Sequence, residues 1–167
     1  MKTDSASPFD PYSQQTRLTI RRTPLNWAVA CGIRLRPYQK EIARAVMDSV
    51  LNGRGLTFTV VLPRQSGKNE VQAHLLSWLL YRAGPRGGRM VSVSPTFHPQ
   101  AIHSMERVRK YLDRSPGTSG RWSSSGFLYR YDQARLQFLS AAGNAKVVGV
   151  CPDNGGASPL RDDREGA

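Results

Sequence analysis

The sequence predicts an α/β domain built around a mainly parallel sheet. Three observations predict it: a short, largely apolar run at residues 56–62, a strongly periodic helical segment directly behind it, and a second short β-branched run at residues 90–94. The run, Leu56-Thr57-Phe58-Thr59-Val60-Val61-Leu62, is β-branched and apolar apart from its two threonines, and is read as a strand buried on both faces. Strand, helix and strand at this spacing form a right-handed crossover unit, which places residues 56–62 at the centre of the sheet. At 167 residues and 39% hydrophobic content the chain can build one core and has little room for a second.

Residues 1–24 contain Pro8, Pro11 and Pro24 among many Ser, Thr and Gln, with little apolar periodicity, and read as a flexible N-terminal arm. The spacing predicts a helix over 37–52, because Pro37 suits the first helical position, Ile42, Val46, Met47 and Val50 recur at helical intervals, and Gly53 follows the end. Over 67–82 the residues Val71, Leu75, Trp78 and Leu79 fall on one face and Gly84-Pro85 supplies a stop. Pro95 ends the second strand. A further amphipathic helix is expected over 99–112, with Ile102, Met105, Val108 and Leu112 on one side and Arg107, Arg109 and Lys110 exposed. Residues 114–126, rich in Ser and Gly, read as a loop, 127–131 and 135–140 as two strands joined by a tight turn, and 146–150 as a short apolar run. The organisation expected is an arm at 1–24, one partial domain at 25–150 and a disordered tail at 151–167, with no internal repeat.

Lys and Arg number 24 against 12 Asp and Glu, a formal charge of +12. Such a surplus condenses on polyanions, nucleic acid first among them. Most of it is arginine spread thinly, with no run of five or six basic residues, so an ordinary solvated surface is the competing explanation. Cys31 and Cys151 are too few and too far apart for a disulfide framework or a Cys-rich zinc site. No apolar stretch is long enough to span a bilayer, and residues 1–15 lack the apolar run of a secretory signal.

Between the run at 56–62 and the helix at 67–82 stands Leu62-Pro63-Arg64-Gln65-Ser66-Gly67-Lys68-Asn69. In a strand-to-helix turn the backbone N–H groups and the positive end of the helix dipole converge where a polyphosphate would sit. Gly67 lets the backbone come close to a phosphate, and Lys68 reaches the β- and γ-oxygens as a mobile point charge. Against the consensus G-x-x-x-x-G-K-[ST], Leu62 replaces a glycine and Asn69 replaces the hydroxyl that normally binds Mg²⁺; the Asn69 amide oxygen is the substitute ligand. A Gly-Lys pair alone is a common accident, and the strand before it and helix after it are what make it a phosphate loop.

The stretch Pro63-Arg64-Gln65-Ser66-Gly67-Lys68-Asn69 resembles the variant Walker A loop of the large terminase subunit, the DNA-packaging motor of tailed phages and prophages, which typically reads Arg-Gln-x-Gly-Lys followed by Thr or Asn. Leu35-Arg36-Pro37-Tyr38-Gln39-Lys40-Glu41-Ile42 is similar to the upstream motif, shared with superfamily 2 helicases, whose glutamine reads the adenine edge; Gln39 would take that role, with a solvated helix surface as the alternative. Residues 90–100 resemble the next conserved strand and loop, with Gln100 opening a helix, and 136–149 resemble the approach to the Walker B strand. The resemblance covers about residues 25–150. It implies a three-layer, RecA-like P-loop NTPase with a mainly parallel sheet, incomplete on its C-terminal side. It implies ATP and Mg²⁺ as ligands and Gln39, Arg64, Gln65, Ser66, Gly67, Lys68 and Asn69 as the nucleotide-binding set, Asn69 being next to the metal. Lys68 and Arg64 would be the catalytic residues, Arg64 as an arginine finger in cis or, alternatively, as a structural ion pair. Double-stranded DNA, the portal and the small terminase subunit would be the partners, and the cytoplasm of the bacterial host the compartment. Glu70 is expected to support the helix N-terminus rather than act as a base. His98 and His103 lack a neighbouring carboxylate or thiolate at ligand spacing and are expected at the surface.

Hydrolysis also needs carboxylates to hold Mg²⁺ and activate water, normally an Asp-Glu pair after four apolar residues. Residues 147–153 imitate this only loosely, and Asp162, Asp163 and Glu165 follow no apolar strand. The expectation is therefore an N-terminal terminase ATPase fragment, truncated or frameshifted, that does not turn over ATP by itself. Two other readings compete. One is a fragment of a superfamily 2 helicase-like DNA translocase, against which Arg64-Gln65 argues; the other is a non-catalytic basic DNA-binding module with a vestigial loop.

Overall fold

Five helices and four strands follow one another in the computed structural model, which describes residues 14–142. They run α1 (Gln14–Arg22), α2 (Pro24–Ala30), α3 (Pro37–Leu51), α4 (Lys68–Ala83), β1 (Gly88–Ser94), α5 (Ile102–Arg114), β2 (Trp122–Ser125), β3 (Leu128–Tyr131) and β4 (Ala134–Ser140). The periodic helices α3 and α4 lie within a residue of their expected bounds. α5 begins later than residue 99 because Phe97–Ala101 form a wide irregular turn, with His98 at φ −100° and ψ 130° interrupting the helix.

The class is α/β as expected, but the sheet is mixed rather than mainly parallel. Its order is β1-β4-β3-β2. β1 runs parallel to β4 from Gly88 opposite Ala134 to Ser94 opposite Ser140, whereas β4 with β3 and β3 with β2 are antiparallel. Connection length decides this. Only the path from β1 through α5 to β4 is long enough for a parallel return, and the short turn after Tyr131, entered by Asp132 at φ 53°, can only reverse the chain.

A larger departure concerns residues 56–62, expected at the centre of the sheet. They form no strand and pair with none among the described residues, and 56–61 are exposed, Val61 being 87% and Leu56 50% accessible. Phe58, Val60 and Leu62, at alternate positions of the run, line an apolar groove with Ile42 and Val46 of α3 and Val71 and Leu75 of α4. Nothing among the described residues covers the Val61 side, and the outer edge of β1 is likewise without a partner strand. The crossover expected through α4 is replaced by the one through α5.

A three-layer arrangement is not what the described residues form. Tyr129, Tyr131, Leu136 and Phe138 face α4 and α5 in the core, while Val91, Val93, Arg130 and Arg135 lie exposed on the opposite face. α4 is central: it packs on α5, on the sheet and on the first three helices. Trp27, Trp78, Tyr81, Tyr111, Leu80 and Leu112 are all buried around it.

Part of the expected arm is ordered into this core. α1 buries Ile20, the Tyr81 hydroxyl donates to Arg17 O at 3.0 Å, and the Arg21 guanidinium sits 4.7 Å above the Tyr81 ring. Thr23 caps α2, its Oγ1 accepting from Asn26 N at 3.1 Å, and Pro24 takes the first turn. Trp27 then stacks on Tyr81 at 5.0 Å and donates its indole N–H to Ser77 Oγ at 3.0 Å. The stretch 114–126, expected as a loop, contains β2, which pairs Trp122 to Ser125 with β3; Trp122 also packs on Tyr129 at 4.9 Å. The run 146–150 and the tail 151–167 lie outside the described residues, as do residues 1–13. No helix among the described residues is long and apolar enough to cross a membrane.

Candidate functional site

α3 and α4 meet at the loop 63–67. Ser66 Oγ donates to Pro63 O at 2.7 Å, and Gln65 (φ 61°) and Gly67 (φ 80°) both take left-handed conformations, so the chain curls tightly before α4 starts. Gly67 is the cap of α4; its carbonyl accepts from Glu70 N at 3.1 Å and Val71 N at 3.0 Å. The amides of Lys68 and Asn69 precede the first of these bonds and have no helical acceptor, which leaves donors and the positive end of the helix dipole at the mouth of the loop.

Two α3 residues hold this curl. The Tyr38 hydroxyl and Gln39 Nε2, the latter at 3.5 Å, both donate to Ser66 O. Gln39 Oε1 accepts from Arg36 N at 2.9 Å, closing the N-terminus of α3. The Ser66 carbonyl is thereby tied to α3. A Cβ on Gly67 would come within 2.8 Å of Gln39 Nε2, so glycine is required here by close approach as well as by φ. Gln39, expected to read an adenine edge, is buried with both ends of its amide engaged by the chain's own backbone. In this arrangement it positions the loop.

Arg64, Gln65, Lys68 and Asn69 are exposed. Neither Arg64 nor Lys68 has an ion pair among the described residues, which leaves both cations available to an anion at the loop; the structural ion pair considered for Arg64 is not made. Lys68 and Asn69 stand between two cavities. One, of about 450 Å³, is the apolar groove under residues 56–62. The other, of about 400 Å³, lies between the start of α4, the end of β1 and α5, and is polar: Gln72, Ser94, Gln100, His103, Ser104 and Arg107 line it with Lys68 and Asn69, and no carboxylate does.

Glu70, one turn into α4, points to α5. One carboxylate oxygen accepts from the Tyr111 hydroxyl and the other lies 3.7 Å from Arg107 Nε. Burial, reinforced by the hydrogen bond and charge of Glu70, pushes the Tyr111 hydroxyl pKa well above its ordinary value, so Tyr111 stays a donor. Two other buried groups are also held uncharged. Cys31 is pushed up to about 12 by burial, and His74 is lowered to about 4 because burial outweighs its bond to Pro24 O and the charge of Glu70. His98 and His103 are exposed, and His103 Nδ1 lies 3.4 Å from Glu106.

The described residues bring no cluster of His, Cys, Asp or Glu together beside the loop. A hard dication needs several oxygen ligands. Asn69 offers one amide oxygen, and Glu70 is engaged by Tyr111 and Arg107.

Sequence reasoning assigned no role to Tyr38, Gln72, Ser104 or Arg107. The helical period puts Lys68 and Gln72 on one face of α4, and Gln100, Ser104 and Arg107 at steps of three or four approaching and along α5. That these two faces meet is a tertiary fact without a local signal. Compared with known protein families, with curated proteins and with solved structures, the chain matches none.

Proposed function

We propose that the chain binds the polyphosphate of ATP at residues 63–69 and is part of the ATPase domain of a terminase large subunit, whose activity is ATP-driven movement of double-stranded DNA into a procapsid. The observation that carries this reading is the curl before α4: Gln65 and Gly67 are left-handed, the Ser66 carbonyl is tied to α3, and the amides of Lys68 and Asn69 face the mouth with an unpaired lysine beside them. An anion is what such a concavity accepts. Lys68 and Arg64 supply the charge, and Arg64 is the residue the terminase resemblance adds to a general phosphate loop.

A polyanionic partner has separate support. Arg21, Arg22 and Arg82 line a cleft with Leu18 and Leu51 and without any acid. Cations gathered in a cleft without acids suit phosphodiester oxygens.

The test is titration of the chain with ATP, alongside Lys68→Ala. The expected result is binding that weakens at least about tenfold in the variant, as loss of one charge-assisted contact requires. Unchanged affinity would leave the basic DNA-binding module as the better reading. ATP turnover by this chain alone is expected to stay at background, because the described residues provide no carboxylate pair at the site; a rate abolished by Lys68→Ala would overturn that expectation.

A further inference from the structure

We propose that Arg107 is a further cation of the phosphate site beside Lys68 and Arg64, held by Glu70, and that its guanidinium engages the terminal phosphate of a bound nucleoside triphosphate. This rests on the reading of residues 63–69 given above. Arg107 stands on α5 in the wall of the 400 Å³ polar cavity whose opposite wall carries Lys68. Its Nε faces Glu70 Oε2 at 3.7 Å, and one Nη donates to His103 O at 3.5 Å.

Glu70 is fixed in turn by the buried Tyr111 hydroxyl, so the order of dependence runs from the core outward: Tyr111 orients Glu70, and Glu70 orients Arg107. Glu70 is not part of the cavity lining and stands behind Arg107, which is the nearer of the two charges to the cavity. The pair is a weak one. Both side chains are about two-fifths exposed and the separation is long, which makes the contact a holder more than a source of stability.

The cavity chemistry points to phosphate. Lys68 and Arg107 line it together with amide, imidazole and hydroxyl groups, and no carboxylate is part of the lining, so its own charged groups are cations. A triphosphate anchored on the α4 amides extends its far end away from them, and Lys68 and Arg64 together do not offset its full charge. The planar fork of an arginine matches two oxygens of a terminal phosphate, a geometry lysine cannot reproduce. Arg107 is thus a binding residue for the last phosphate, and Glu70 is its positioning residue.

The experiment measures dissociation constants of the full chain for ATP, ADP and AMP by calorimetry, in the wild type and in Lys68→Ala, Arg107→Ala, Arg107→Lys and Glu70→Gln, with thermal melts to confirm folding. Arg107→Ala is expected to weaken ATP about tenfold while leaving ADP and AMP within about twofold, and Arg107→Lys to recover part of the loss. Glu70→Gln should narrow the preference for ATP over ADP less than Arg107→Ala does. An unchanged ATP-to-ADP ratio in Arg107→Ala, with ATP lost in Lys68→Ala, overturns the role of Arg107 and leaves the loop reading standing. Full ATP affinity in Lys68→Ala, or no ATP binding by the wild type, overturns both.

Discussion

Gly67 is where the backbone requirement of the loop meets the proposed phosphate site. A methyl group there forces either Gln39 Nε2 off Ser66 O or the residue out of its φ of 80°. Gly67→Ala should therefore cost about 1 to 3 kcal/mol in urea unfolding and abolish ATP binding. His74 carries a different prediction. Its Nε2 meets Pro24 O at 2.8 Å while Nδ1 is buried without an acceptor, so protonation would add an unsatisfied donor and a buried charge. Its folded pKa of about 4 lies below the ordinary 6.5. The unfolded chain consequently binds the proton more readily, and the His74 contribution, complete above 6.5, is lost as pH falls towards 4. Between pH 7 and pH 5 the chain should lose about 2 kcal/mol through this group, and thermal melts should show a smaller loss in His74→Gln. Lys68 and Arg64 could be picked out from the sequence because residue type and order carry their chemistry. Tyr38 and Arg107 could not, because their relevance comes from what they touch.

Among the elements, α2 has the clearest energetic role. Trp27 is fully buried, stacked on Tyr81 and bonded to Ser77, so Trp27→Ala should lower stability by about 3 to 5 kcal/mol in denaturant titration. Leu18→Ala on α1 is the control: Leu18 is 47% exposed, and the change should stay within about 0.5 kcal/mol. α3 and α4 were legible because each couples a start signal with an apolar stripe at helical spacing. α1 was not, because of its two apolar residues, Leu18 and Ile20, only Ile20 turns inward, and its docking on Tyr81 is a long-range contact. β2 was hidden by its serines, residues with little preference for strands, which are extended because β3 offers them a ladder. The run 56–62, expected as a buried strand, forms none among the described residues, because the pairing a strand needs is not written in its own residues.

At the scale of the whole molecule, the charge of +12 should appear as salt dependence. Double-stranded DNA binding, followed by fluorescence anisotropy, should fall steeply with added salt, and Arg21→Ala and Arg82→Ala should each reduce the slope of log affinity against log salt by about one. A slope unchanged in both variants would remove that cleft from the DNA-binding surface. The α/β class followed from patterning alone. The mixed sheet did not, since strand direction depends on which connection is long enough to return parallel, and here that is the path through α5.

Among the described residues the outer side of β1 is bare and the apolar ribbon at 56–62 uncovered, surfaces that are expected to make the molecule adhesive. Main-chain donors and acceptors line one flank and valine and phenylalanine the other, so a neighbouring copy can zip against either. Sedimentation should accordingly reveal larger species as the solution is concentrated, and Val61→Lys, which plants a charge on the outward side of the ribbon without touching the groove beneath, should return the chain to single molecules.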